Sequence, residues 1–263
     1  AIAEYFDSDL ATQFNYTFDD DSVSFQETMA TVAQAVFCNV YRQGRAVRLA
    51  FEKATEDSML LFNHRNVIPG SQRRSIRFGP IDDHDGGEME YLSPDDGATL
   101  TYFIPPDRSA VNPTSAPVPG IRSEEAAYWH AWRNFNKALY QNIAVEQEAT
   151  AEASLALVKD RVLITDLTRP QVREGEIIAQ DGTTLTVLEE CELDPAYEWT
   201  IFLQLYDASV EAITVVQGDD LYHLELDHLP NLTLSADPAN FANSTYVVVR
   251  ADDLRARAYL VDR

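Results

Sequence analysis

Residues 175–187 read Gly175-Glu-Ile-Ile-Ala-Gln-Asp-Gly-Thr-Thr-Leu-Thr-Val. Asp181-Gly182 lies between Ile177-Ile178 and Leu185 to Val187, and both turn residues tolerate the positive φ that a tight hairpin demands. Two antiparallel strands are expected here. Short apolar segments separated by turn residues recur on both sides, at 143–149, 161–165, 198–205, 210–216, 221–226 and 246–250. Many short strands at such spacing predict a small barrel or sandwich, and a β-barrel is the form expected.

Upstream the pattern changes. Asp19-Asp20-Asp21 suits a helix N-terminus, and Met29, Val32, Val36, Phe37 and Val40 recur at three- and four-residue spacing, so a helix is expected from Ser22 to about Tyr41. Gly44 ends it. Val47, Leu49 and Phe51 then alternate with Arg48 and Ala50 as in a half-buried strand. Residues 88–92 and 99–104 flank a Ser-Pro-Asp-Asp-Gly-Ala turn and predict a hairpin. Pro105, Pro106, Pro113, Pro117 and Pro119 make 105–120 stiff and extended, the natural linker. Ser123 caps a second helix, in which Tyr128, Trp132, Phe135 and Leu139 form an aromatic stripe expected to be its packing face. The expected fold class is α+β and β-rich. A helix-on-sheet module with a proline-rich exit, residues 1–121, precedes a small β-barrel with one packed helix, residues 122–263.

The chain has 263 residues, 45% of them hydrophobic, enough to fill a core. Its 20 Lys and Arg face 43 Asp and Glu, a net charge of −23 that repels phosphate. Gripping DNA or an anionic membrane is therefore not its expected primary role. No apolar run reaches membrane-spanning length, and no basic signal-peptide region opens Ala1-Ile-Ala-Glu-Tyr. Two cysteines, Cys38 and Cys191, are too few for a disulfide scaffold, though one bridge stays open. The charge is unevenly spread. From Glu174 to Val249 there are 15 Asp and Glu with no Lys or Arg, whereas Ser58 to Ile81 has Arg65, Arg73, Arg74 and Arg77 with no acid. Either these are solvated patches or they meet, within one chain or between copies.

Few residues fit a catalytic pattern. Asp82-Asp-His-Asp-Gly-Gly-Glu is rich in oxygen but lacks the alternating ligand spacing of an EF-hand, and Gly86-Gly87 equally marks an exposed turn. On a strand, His223, Glu225 and Asp227 share one face, which suits a metal or simply polar surface positions. There is no Gly-x-Ser-x-Gly, no P-loop and no dinucleotide-binding glycine run. Neighbouring carboxylates around Cys191 raise its pKa rather than activate it, and Cys38 lies in an apolar stretch. No catalytic, cofactor-binding or metal-ligating residue is assigned, no cofactor is expected, and the chain is read as a non-enzyme.

Several strings occur in a telling order: Ala126-Ala-Tyr-Trp-His-Ala-Trp-Arg, Val145-Glu-Gln-Glu-Ala, Leu157-Val-Lys-Asp-Arg-Val-Leu-Ile-Thr-Asp, the 175–187 segment and Tyr197-Glu-Trp-Thr-Ile-Phe-Leu-Gln-Leu-Tyr-Asp. Together with Phe37-Cys-Asn-Val-Tyr-Arg-Gln-Gly-Arg-Ala-Val-Arg-Leu-Ala-Phe-Glu, they resemble the central hub, or host-specificity protein J, of long-tailed phage tail tips. One departure is Lys159-Asp160, where that family usually has Gly-Asp before its Val-Leu-Ile strand. The resemblance implies a structural virion component, with the present chain a fragment or core. It implies a homotrimeric ring at the tail tip, assembled in the bacterial host cytoplasm and closing the tail tube. Such a ring contacts distal-tail and other tip proteins, links to receptor-binding parts and meets DNA only as passing cargo. The rival expectation is a carbohydrate-binding or carbohydrate-active protein using aromatic platforms such as Trp129 or Trp199 and a carboxylate pair.

Overall fold

In the computed structural model, which describes residues 2–19, 22–115, 117–165, 173–237, 243–250 and 256–262, the 175–187 segment forms the expected hairpin. Strand β1 (Arg173–Asp181) turns through Gly182, at φ +61°, into β2 (Thr184–Val187), with Asp181 opposite Thr184. Four more strands follow: β3 (Trp199–Gln204), β4 (Ser209–Gln217), β5 (His223–Leu226) and β6 (Thr245–Arg250). They join in the ring β3-β6-β1-β2-β5-β4, and β4 pairs back onto β3. Every pairing in the ring is antiparallel. The result is a closed six-stranded barrel, which leaves no strand edge unpaired within the ring.

Period-2 alternation decides which side chains enter it. Ile177, Leu185, Ile201, Leu203, Ile213, Leu224 and Tyr246 are fully buried and share one core with Trp199 and Val248. On β6 the outward residues are buried as well: Val247 and Val249 pack with Leu61 and Leu163. Those two come from the strands Leu61–Phe62 and Arg161–Thr165, which run parallel, and Ala256–Leu260 pairs antiparallel with the latter.

The tight turn entering Arg161–Thr165 forms even though Lys159, not glycine, occupies its left-handed position. Leu157 O accepts from Asp160 N at 3.0 Å, and Lys159 between them adopts φ +70°, a left-handed conformation that favours glycine. Lys159 Nζ reaches Asp262, whose side chain is largely exposed, so that ion pair offsets little. Replacing Lys159 by glycine is expected to raise the urea midpoint, by about 0.5–1 kcal/mol of stability, without changing the unfolding slope.

The chain divides into two compact units, Ala1–Lys53 with Arg74–Val145, and Ala54–Arg73 with Glu146–Arg263. The boundary read at 121/122 therefore falls inside the first unit. The segment 105–120 is no linker: Pro113–Ser115 pairs parallel with Gly86–Glu88, and Val118 and Ile121 are buried core residues. Apolar anchors and a strand register hold a proline-rich stretch that stiffness alone marks as a spacer. In the same unit, Gly86–Leu92 and Thr99–Ile104 form the expected antiparallel hairpin, with Glu88 opposite Phe103.

The helix Glu124–Tyr140 starts at Ser123, whose hydroxyl accepts from Ala126 N at 3.0 Å. Its buried face is Ala126, Ala127, His130, Ala131 and Ala138, not the aromatic stripe expected. Tyr128 and Trp132 are partly exposed, while Phe135 packs on the core. The sheet forces this choice. A Cβ at Gly87 lies 3.1 Å from the Ala131 carbonyl, so helix and strand approach too closely for large residues between them. The first helix is also shorter than read, Phe25–Ala35, capped by a reciprocal Ser24–Glu27 box. Phe37 at φ +60° ends it, and Cys38–Gln43 and Ala46–Phe51 form a two-stranded ribbon turning through Gly44. Among the described residues no third strand joins that ribbon. No helix of the described residues is long and apolar enough to cross a membrane.

Candidate functional site

Within the second unit, two side chains of the basic segment 58–81 meet the acidic barrel. His64 lies 2.8 Å through Nδ1 from Glu174 Oε1 on β1, and its backbone N–H donates to the same oxygen at 3.3 Å. Arg65 donates from Nε to Glu176 Oε1 at 2.8 Å, and its Nη1 lies 3.7 Å from Glu189. The hydrogen bond from Glu174 raises the His64 pKa, against the opposing effect of partial burial. Glu189 also accepts from Glu176 N at 3.2 Å, and it has room because position 175 is glycine: a Cβ there stands 1.9 Å from Glu189 Oε2. Oppositely charged segments thus meet inside one chain at Arg65. Arg73 and Arg77, further along the basic segment, have exposed side chains.

The first unit contains a cleft of about 400 Å³ lined by Gln34, Phe37, Cys38, Glu52, His130, Arg133, Asn134 and Lys137, among others. Lys137 Nζ binds Glu52 Oε2 at 2.9 Å, and Arg133 donates to the Glu52 carbonyl at 2.6 Å while its guanidinium lies 5.3 Å from the Phe37 ring. His130 stacks on Phe37 with centroids 4.0 Å apart and donates from Nε2 to the Ala35 carbonyl at 3.3 Å. Burial pushes its pKa down to about 4, so the ring is neutral at pH 7. Burial also raises the Cys38 thiol pKa, which keeps it protonated. The cleft holds cations already matched to Glu52 and a histidine fixed by packing. Its lining thus offers charged and hydrogen-bonding side chains around a protonated Cys38 thiol.

The residues singled out in the sequence take structural roles. Asp85 accepts from Val111 N and Asn112 N at 2.7 and 2.8 Å, which lowers its pKa, and His84 Nδ1 lies 3.1 Å from the Asn112 carbonyl. Residues 82–85 are a tied-down turn, and 86–88 begin the strand Gly86–Leu92. Its Gly86 is required sterically, since a Cβ stands 2.3 Å from the Ile104 carbonyl oxygen. His223 lies 2.7 Å from Asp220, while Glu225 accepts from Thr184, so the two face different partners. No group of three or more His, Cys, Asp or Glu among the described residues is arranged to hold a metal ion. Cys38 and Cys191 are both free and buried, and burial pushes the Cys191 thiol up to about 11. Trp199 is buried, with its indole N–H on the Asp194 carbonyl at 2.9 Å and Arg173 over its ring. Trp129 packs 4.7 Å from Phe6. Neither indole presents an open platform. The cleft itself escaped sequence reading, because Glu52 and Lys137 carry no motif and are brought together only by the fold.

Compared with known proteins, no family model matches this sequence, and no curated protein matches it.

Proposed function

We propose that this chain is a structural, non-enzymatic module of a phage tail-tip hub, with copies arranged as a homotrimer that closes the tail tube. It joins distal-tail and tip proteins to receptor-binding parts and lets DNA pass without holding it. The reading rests on the ordered strings from Phe37 to Asp207 that resemble the host-specificity protein J family. The observation that supports it beyond resemblance is the acidic surface of the barrel between Arg173 at the start of β1 and Arg250 at the end of β6. No Lys or Arg occurs from Glu174 to Val249, and Asp181, Glu192, Asp194, Glu198, Asp207 and Asp227 are exposed there. Such a surface denies phosphates the counter-charges that capture requires.

Two measurements test it. Gold-labelled antibodies raised against the barrel are expected to mark the distal end of the tail on particles from the source culture. Purified protein is expected to leave duplex DNA free at low salt. Labelling confined to heads or to host cell contents, or tight and salt-sensitive DNA capture, overturns the reading.

A further inference from the structure

We infer that the ribbon Cys38–Phe51 is an assembly arm that docks on the barrel of a second copy of this chain. The inference rests on the self-assembly part of the preceding reading and not on the tail or its DNA. Among the described residues the two strands of this ribbon pair only with each other, Val40 opposite Leu49 and Arg42 opposite Val47. Val47 and Leu49 are about half exposed, at 51% and 54%, on one face of the ribbon. At the base of this face Phe51 packs on Tyr5 and Phe6, while Val47 and Leu49 toward the turn stay uncovered, and such an exposed apolar strip marks a contact surface. The whole stretch from Thr28 to Phe51 has no acid, while Arg42, Arg45 and Arg48 are all exposed.

The barrel offers the complementary surface. Leu188, Leu221 and Tyr222 are each at least 40% exposed. They form one patch: Val187 N donates to the Tyr222 carbonyl, Cys191 N donates to the Leu221 carbonyl, and the Tyr222 hydroxyl donates to Glu190 at 2.9 Å. Glu190, Asp219 and Asp220 border it, all exposed. Arg42, which shares the Val47 and Leu49 face, and Arg45 at the turn thus meet the anions around the apolar patch, while Arg48 lies on the other face. Apolar contact supplies affinity, and the charges set register and exclude the wrong partner. Because arm and patch are different surfaces, the contact is head-to-tail and closes into a ring when its rotation permits.

Sedimentation velocity of the full chain at low salt tests this. Self-association is expected for the natural sequence, weakened at least about ten-fold by Arg42→Glu with Arg45→Glu, by Val47→Asp with Leu49→Asp, and by Glu190→Lys with Asp219→Lys. Mixing the arm charge-reversal with the patch charge-reversal is expected to restore association between the two variants, an outcome that misfolding does not produce. A natural chain that stays monomeric to about 100 μM overturns the inference, as does association that all three variants retain. Duplex DNA binding that disappears with the arm arginines, in place of self-association, overturns it too. Failure here leaves antibody labelling at the tail end unaffected, so the two readings fail separately.

Discussion

Replacing Ile201 by alanine is expected to lower the stability of the barrel unit by about 2–5 kcal/mol, the range for deleting a large aliphatic side chain from a rigid core. Ile201 is fully buried at the centre of β3, opposite Ile213 on β4 and Val248 on β6. Both neighbouring strands are fixed by the ring closure, so the void left by three missing carbons has little freedom to collapse. The urea midpoint falls while the unfolding slope stays unchanged, and amide exchange accelerates across Trp199–Gln204. A control at exposed Thr214, changed to alanine, moves the midpoint by only tenths of a kcal/mol, as surface substitutions do. A cost under about 1 kcal/mol at Ile201 contradicts a closed, packed interior.

Acid is expected to destabilise the first unit before the carboxylates titrate, because of one buried imidazole. His130 is 5% exposed, and burial holds its folded pKa near 4 against an ordinary value of 6.5. Above pH 6.5 neither the folded nor the unfolded form carries the proton, and the full stability is present. Between 6.5 and 4 the unfolded chain takes up a proton that the folded one refuses. Stability therefore falls with pH and levels off below the folded pKa, for a total of about 3 kcal/mol. The measurement is the unfolding free energy from pH 7 to 4.5 in the natural protein and in His130→Phe, which keeps an aromatic ring against Phe37. The variant is expected to lose most of that slope, and equal slopes in the two proteins contradict a neutral, sequestered His130.

The barrel was legible in the sequence because alternation is a local signal. The strands read at 198–205, 210–216 and 246–250 form in the barrel at Trp199–Gln204, Ser209–Gln217 and Thr245–Arg250, and the one read at 161–165 forms beside it at Arg161–Thr165. What was misread depended on distant partners. Phe37 adopts a positive φ without being glycine, so nothing in the spacing announced that the first helix stops before it. The stretch 105–120 carries the composition of a spacer, and only the core that receives Val118 and Ile121 shows otherwise. Helical spacing located the aromatic stripe on Glu124–Tyr140, but the close approach of Gly87 on the strand Gly86–Leu92 decided that alanines face inward. Of the contacts between charged segments, complementarity was visible in the sequence, while the pairing of Arg65 with Glu176 needed the fold.

The interleaved path of the chain dictates an order of events during synthesis. Ser58 and Met59 leave the ribosome long before Val210 and Ser209, against which they pair, and the intervening chain completes the other unit first. The segment 54–73 therefore waits as a tethered loop, its Leu60 and Leu61 without partners until Leu163 and then Ala208 have emerged. During that interval one half is built while the other half's first apolar strands stay exposed, the kind of surface that makes folding intermediates prone to aggregate.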